Sequence, residues 1–124
     1  MSIRYQADNG LNQLIVAATF RKEPSIEFKT AQSAQLDHSA QLDHRDDVTV
    51  LRRAASEGRI LVSHDKRTMP RHFASFLNEG NDSPGVLLVI PQDAPLRSVV
   101  ETLVLIWADN TPEGWQNAIT FIPF

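Results

Sequence analysis

Short apolar runs alternate with longer amphipathic segments along the chain, and this alternation restricts the fold more than any other feature. Two of the runs, 60–62 and 85–90, are apolar on both faces, as the inner strands of a parallel sheet are. The segments between the runs repeat apolar residues at helical spacing. This order predicts an α/β fold with a mostly parallel sheet and right-handed crossovers. We expect strands at 3–7, 26–28, 60–62, 85–90 and 118–122, and helices at 11–22, 46–57, 69–79 and 96–107.

The composition fits a single globular domain spanning residues 1–124. Of the 124 residues, 42% are hydrophobic and 22% are charged, which is typical of a folded domain rather than a disordered chain. No cysteine is present, so disulfides, thiolate zinc sites and cysteine nucleophiles are excluded. No stretch approaches the roughly 20 apolar residues of a membrane span, and the first residues lack the apolar core of a signal peptide. We therefore expect a cytoplasmic protein without a membrane partner.

An exact tandem repeat precedes the second predicted helix. The hexamer Ser-Ala-Gln-Leu-Asp-His occupies 33–38 and again 39–44. Two copies of so short a unit do not make a solenoid, so the repeat at 33–44 is interpreted as a duplication in a surface segment. Its two Asp-His pairs would need a further ligand to hold a metal, and none follows at a suitable spacing.

Charge is distributed unevenly, although the net charge is only −3. Residues 45–71 carry seven Lys and Arg against four Asp and Glu, whereas 72–124 carry one against six. The basic middle segment is either a solvated helix face or a surface that faces phosphate groups. The apolar helix at 96–107 also leaves two alternatives open, since it either packs under its own sheet or forms a homodimer.

Three aspartates occupy positions where parallel strands end or helices begin. Asp8 follows the first predicted strand, Asp65 follows the strand at 60–62, and Asp47 begins a helix. Loops at the carboxyl ends of parallel strands converge, so the three carboxylates are predicted to meet in one cleft. Such a cluster favours Mg²⁺ or Mn²⁺, which prefer oxygen ligands and bind substrate phosphates. Capping is the alternative role for each aspartate, and the expected role of Ser63.

The most specific motif lies in the middle of the chain. The run Glu-Gly-Arg-Ile-Leu-Val-Ser-His-Asp-Lys at 57–66 follows the helix that starts at Asp47, and Gly-Val-Leu-Leu follows at 85–88. Together with Asp8 after the first strand, this pattern resembles the small bacterial PIN-like domain group of unassigned function, within the PIN-domain nuclease superfamily. The resemblance covers about residues 3–90, and the final helix and strand follow in the expected order.

The resemblance implies a PIN-like α/β/α sandwich that cleaves single-stranded RNA with Mg²⁺ or Mn²⁺. Asp8, Asp47 and Asp65 are similar to the acids that bind the metal and carry catalysis in the family. Many PIN proteins are toxins, so an antitoxin protein is implied as a partner. The basic side chains expected to attract the phosphate backbone are Lys66, Arg67 and Arg71.

A catalytically weak or inactive PIN-like module is the alternative. Members of the superfamily often carry acids where this chain has Asn9, Gly10 and Arg67. A site with fewer carboxylates binds a divalent cation less tightly. Such a module would bind RNA or a protein partner without cleaving it, and a metal titration combined with an RNA cleavage assay separates the two functions.

Overall fold

The computed structural model describes residues 2–31 and 46–124, and the side chains of Asp46 and Asp47 lie outside this described part. Helices and strands alternate through it in the predicted order. The strands are β1 (Tyr5–Ala7), β2 (Phe28–Lys29), β3 (Ile60–Ser63), β4 (Val86–Val89) and β5 (Ile119–Ile122). The helices are α1 (Gln13–Lys22), α2 (Asp46–Glu57), α3 (Met69–Asn78) and α4 (Leu96–Asp109), and a short 3₁₀ helix (Pro112–Trp115) precedes β5.

The five strands form one parallel sheet in the order β2-β1-β3-β4-β5. β3 and β4 are inner strands, as the two runs that are apolar on both faces predicted. The predicted α/β fold with a parallel sheet is therefore confirmed. Because β2 and β3 lie on opposite sides of β1, the strand order reverses between β1 and β3.

Two apolar layers cover the two faces of the sheet, which makes the fold an α/β/α sandwich. Alternate residues of β3 enter opposite layers. Ile60 and Val62 join the cluster beneath α1 and α4, whereas Leu61 joins the cluster beneath α2 and α3. Of the two alternatives for the apolar α4, packing under its own sheet is the one observed, and the buried residues include Val99, Leu103 and Ile106.

A buried tyrosine ties β1 to α4. The Tyr5 hydroxyl donates a hydrogen bond to the carbonyl oxygen of Leu103 over 2.7 Å. Its ring also packs against Phe28 of β2, with the ring centroids 5.3 Å apart. Burial raises the pKa of Tyr5 far above its usual range, because the phenolate would have to exist without water. The hydroxyl therefore remains a donor.

The first helix and the second strand begin later than the sequence predicted. α1 begins at Gln13 because the Asn12 side chain caps it, accepting a hydrogen bond from the Leu14 N–H over 3.0 Å. Pairing with β1 sets the position of β2, since the Tyr5 N–H donates to the Glu27 carbonyl over 2.8 Å. Ile26, predicted to be part of the strand, instead fills the core just before it.

Two further expectations concern the hexamer repeat and the lack of a membrane-spanning helix. The hexamer repeat at 33–44 lies outside the described residues, so its surface position remains a prediction. Among the described helices, none combines the length and apolar character needed to cross a bilayer.

Candidate functional site

A cavity lies at the carboxyl ends of β1 and β3, where the strand order reverses. Open parallel sheets bind ligands at this position, because the loops diverge there and leave a crevice. The cavity has a volume of about 350 Å³. Two of the predicted acids, Asp8 and Asp65, line it together with two of the predicted basic residues, Lys66 and Arg67. The fold thus brings these four residues to one place.

Asp8 is the acid at the end of β1, and it is 8% exposed. Its backbone N–H donates to the Val62 carbonyl over 2.9 Å, which fixes the residue against β3. Its carboxylate accepts hydrogen bonds from the Asn9 N–H over 2.8 Å and from the Ser63 hydroxyl over 2.7 Å. Hydrogen bonds to a carboxylate are stronger than those between neutral groups, so Asp8 is held in one orientation at the cavity wall.

Ser63 links the two acids of the cavity. It is fully buried, its hydroxyl donates to Asp8, and its oxygen accepts the Asp65 N–H over 3.0 Å. The expected strand-end cap is therefore present, but the bond to Asp8 is an addition that the sequence did not predict. The hydrogen bond from the Ser63 hydroxyl positions the Asp8 carboxylate at the cavity wall.

Asp65 caps the turn that leads into α3. Its Oδ1 accepts the backbone N–H of Arg67 over 3.1 Å and that of Thr68 over 2.9 Å, while Oδ2 accepts the Thr68 hydroxyl. Partial burial raises the pKa of Asp65, but the hydrogen bonds from Thr68 and from the backbone outweigh it and hold that pKa below its ordinary value. Asp65 is therefore ionised, and its carboxylate acts mainly as a cap for this turn. Capping is the alternative role that the sequence left open for this aspartate.

His64 joins the loop after β3 to the start of α1. Its Nε2 accepts the Asn12 N–H over 3.3 Å. In the neutral ring this places the proton on Nδ1, which is buried and has no hydrogen-bond partner among the described residues. His64 also lines the cavity beside the two acids.

The predicted basic residues divide into two groups. Lys66 and Arg67 are exposed and line the cavity at its rim. Arg71 is exposed on α3 and does not contribute to the cavity lining. A phosphate in the cavity would therefore contact Lys66 and Arg67. Arg71 would contact only an RNA long enough to extend beyond the cavity.

The third predicted acid, Asp47, lies in the first turn of α2. Its side chain is outside the described part of the structure, so its convergence with Asp8 and Asp65 stays a prediction. Across the described residues, no group of three or more His, Asp or Glu side chains is arranged to hold a metal ion.

The donors that line the cavity suit a hard divalent cation. Mg²⁺ is usually held by one or two carboxylates, with water and substrate phosphate completing its shell. Asp8 and Asp65 supply carboxylate oxygens on one cavity. Three hydrogen bonds already occupy most of the roughly four lone-pair sites of Asp65, so a cation there would compete with the capping bonds.

Sequence reasoning missed the partnerships of Ser63 and His64. The contact between Ser63 and Asp8 follows from the register of β1 against β3, which pairs Ala7 with Val62. When two adjacent parallel strands end at the same level, the residues that follow their last paired positions lie close together. With that register known, the contact between Asp8 and Ser63 could have been predicted. A pattern of apolar runs predicts the strands but not their relative register.

With the site described, the chain was compared with known proteins. Comparisons with protein-family models, curated proteins and solved structures find no match for this chain.

Proposed function

We propose that this chain is a metal-dependent endoribonuclease of the PIN-like type that cleaves single-stranded RNA. The observation that carries the proposal is one cavity, at the carboxyl ends of β1 and β3, that is lined by two carboxylates and two cationic side chains. Metal-dependent phosphodiester cleavage uses a carboxylate-bound cation next to groups that hold the phosphate, and the residues that line this cavity are of the types suited to both tasks. Asp47 is the third acid of the proposal.

The residues of the cavity have separate roles in this reaction. Asp8, oriented by Ser63 and by the Asn9 N–H, holds the cation, Mg²⁺ or Mn²⁺, together with Asp65. When bound, such an ion lowers the pKa of a water molecule and stabilises the charge that develops on the phosphate oxygens. Lys66 and Arg67 hold the phosphate that is cleaved, and Arg71 attracts the neighbouring backbone.

The proposal extends to the biological setting of the enzyme. PIN-like ribonucleases that act as toxins cleave cellular RNA, so we place this protein in the cytoplasm and propose an antitoxin protein as its partner. The exposed Lys66 and Arg67 at the cavity rim suit an acidic segment of that antitoxin, which would cover the site by binding where RNA phosphates bind.

The test combines RNA cleavage with calorimetry. We expect the protein to cleave an unstructured single-stranded RNA in the presence of Mn²⁺ or Mg²⁺, and EDTA to abolish the cleavage. Asp8→Asn should remove both metal binding and cleavage, because it removes the anionic ligand without changing its shape. Asp109→Asn is the matched control, since Asp109 is an exposed acid at the far end of α4. Equal cleavage by the wild type and Asp8→Asn would contradict the proposal.

The capping hydrogen bonds of Asp65 favour a second candidate function. In this candidate the protein binds RNA or another protein and has no catalytic activity. Three hydrogen bonds hold its carboxylate in a local cap, and the described residues contain no three-ligand group. Such a module would bind single-stranded RNA through Lys66 and Arg67 without a metal. RNA binding that is unaffected by EDTA, together with no RNA cleavage, would support this candidate.

A further inference from the structure

The two edges of the sheet differ in how well they are protected against pairing with another chain. The β2 edge is only two residues long. Lys29 on it pairs with Glu57 over 3.1 Å, and Glu27 just before it pairs with Arg59 over 3.3 Å. Short strands and charged side chains are the usual means of preventing association at a sheet edge. The β2 edge is therefore protected against pairing with a strand of another chain.

The β5 edge has none of this protection. Between residues 114 and 124 the sequence contains no Asp, Glu, Lys or Arg. Phe121, in the middle of β5, is 62% exposed. The proline nearest this strand, Pro123, follows its last residue and so leaves the strand itself free to pair. An uncharged, partly apolar edge of this kind favours pairing with a further strand.

The backbone of β5 presents four hydrogen-bonding groups to this edge. The carbonyls of Ala118 and Ile122 accept the N–H groups of β4 over 3.0 and 2.9 Å. Because successive residues of a strand point their backbone groups to opposite sides, the N–H and C=O groups of Ile119 and Phe121 point away from β4. Within the described part of the chain, no backbone hydrogen bond is formed by these four groups.

Apolar side chains flank the free edge on both faces of the sheet. Phe121 lies on the face of α2 and α3, because its neighbour Ile122 enters the core beneath α1 and α4. Leu105 of α4 and Phe124 are exposed on the opposite face, beside a groove of about 250 Å³. A strand added to β5 would find apolar contacts above and below the sheet.

We propose that the β5 edge is a homodimer interface, in which the β5 strands of two copies pair antiparallel about a twofold axis through Thr120. In this register Ile119 of one copy lies opposite Phe121 of the other, and each such pair exchanges two hydrogen bonds. All four free groups of each copy are then used. Thr120 faces its equivalent across the axis, and Thr–Thr pairs are favourable in sheets. The two sheets become one continuous sheet of ten strands.

A second copy fits this edge because the edge is self-complementary. A twofold axis places each side chain near its own equivalent, so any charge on the strand would meet a like charge. The uncharged stretch from 114 to 124 avoids that repulsion. No lining residue of the cavity at Asp8 belongs to β5, so the pairing of the two strands uses none of the residues of the cavity. The interface is therefore independent of the proposed nuclease activity.

The test measures the mass of the protein in solution by sedimentation at several concentrations. We expect a dimer of the wild type and a monomer of Phe121→Lys, because a lysine on an edge strand opposes pairing and would face its own equivalent nearby. The dissociation constant should rise by at least about tenfold. Phe20→Lys is the matched control, since Phe20 is 57% exposed but lies on α1, and it should leave the dimer intact.

Amide hydrogen exchange locates the interface. In the wild-type dimer the Ile119 and Phe121 amides should exchange slowly, and in Phe121→Lys they should exchange fast. The Thr120 and Ile122 amides, which face β4, should stay protected in both proteins and report that the variant is folded. A wild type that is monomeric at all concentrations overturns the proposal. A dimer that survives Phe121→Lys, or that Phe20→Lys dissociates, overturns it as well.

Discussion

At the scale of single residues, the buried hydroxyl of Ser63 determines how the cavity is built. Its proton is donated to Asp8, and its oxygen accepts the Asp65 N–H, so one side chain fixes the orientation of the first acid and the path of the loop that carries the second. The position of Asp8, at the end of β1, thus depends on a residue of β3. This explains why a cavity with two carboxylates forms at the meeting point of two very short strands.

We predict that Ser63→Ala destabilises the protein by about 1–3 kcal/mol, because it removes the Ser63 donor from the buried Asp8 carboxylate and the acceptor of the Asp65 N–H. The free energy of unfolding, measured in urea, checks this. Ser75→Ala on the exposed face of α3 is the matched control and should change it by less than about 0.5 kcal/mol. Equal effects of the two substitutions would mean that the hydrogen bonds of Ser63 contribute little.

A second residue-scale prediction concerns the pH dependence of Asp65. Its pKa is lowered in the folded protein, so its ionised form stabilises the fold above the unfolded pKa of about 4, and that stabilisation is lost as the pH falls through the folded pKa. Asp65→Asn should cost about 1 kcal/mol at neutral pH, as the loss of a cap does.

The measurement for Asp65 is the stability of wild type and Asp65→Asn as a function of pH. The difference between them should be constant above about pH 5 and should shrink below about pH 4. A variant that is more stable than the wild type at neutral pH would indicate that repulsion between Asp65 and Asp8 outweighs the capping hydrogen bonds.

At the scale of elements, contacts between residues far apart in the chain set details that local patterns do not reveal. The run at 85–90 predicts β4 correctly, but the reason for glycine at its start lies thirty residues later. Gly85 has φ +119°, and an added Cβ would overlap the carbonyl oxygen of Trp115 in the 3₁₀ helix. Gly85 thus allows that helix to pack over the start of β4.

We predict that Gly85→Ala is destabilising by at least about 1–3 kcal/mol, because the backbone conformation excludes a side chain and the Trp115 carbonyl occupies the space. Thermal unfolding of the variant checks the size of the effect. Gly114→Ala is the control, since a Cβ there would meet no atom within 4 Å. A Gly85→Ala protein as stable as Gly114→Ala would show that the start of β4 relaxes easily.

At the scale of the whole molecule, the sequence predicted the fold class better than the site. The runs at 60–62 and 85–90 identified the inner strands because burial on both faces leaves an uninterrupted apolar pattern. The strand order, and with it the position of the cavity between β1 and β3, depends on long-range pairing that no local pattern encodes. Asp8 and Asp65 could be proposed as neighbours from the general behaviour of parallel strands, but the capping bonds of Asp65 and the bridge through Ser63 could not.

The last prediction links the cavity to the stability of the whole chain. If Asp8 and Asp65 hold a divalent cation, Mg²⁺ or Mn²⁺ binds only the folded state and stabilises it by mass action. At a concentration 100-fold above the dissociation constant the gain is about 2.7 kcal/mol. For a chain of this size that corresponds to a rise in melting temperature of roughly 10 °C.

Differential scanning calorimetry with and without Mn²⁺ measures this rise, and a sample with NaCl at the same ionic strength is the control. Asp8→Asn should lose the response, Asp109→Asn should keep it, and Asp65→Asn should keep part of it because the Asp65 carboxylate is already engaged in capping hydrogen bonds. A wild type whose melting temperature does not respond to either cation would contradict the metal-dependent ribonuclease. The cationic rim of Lys66 and Arg67 would then favour the module that binds RNA without cleaving it, since phosphate attraction needs no metal.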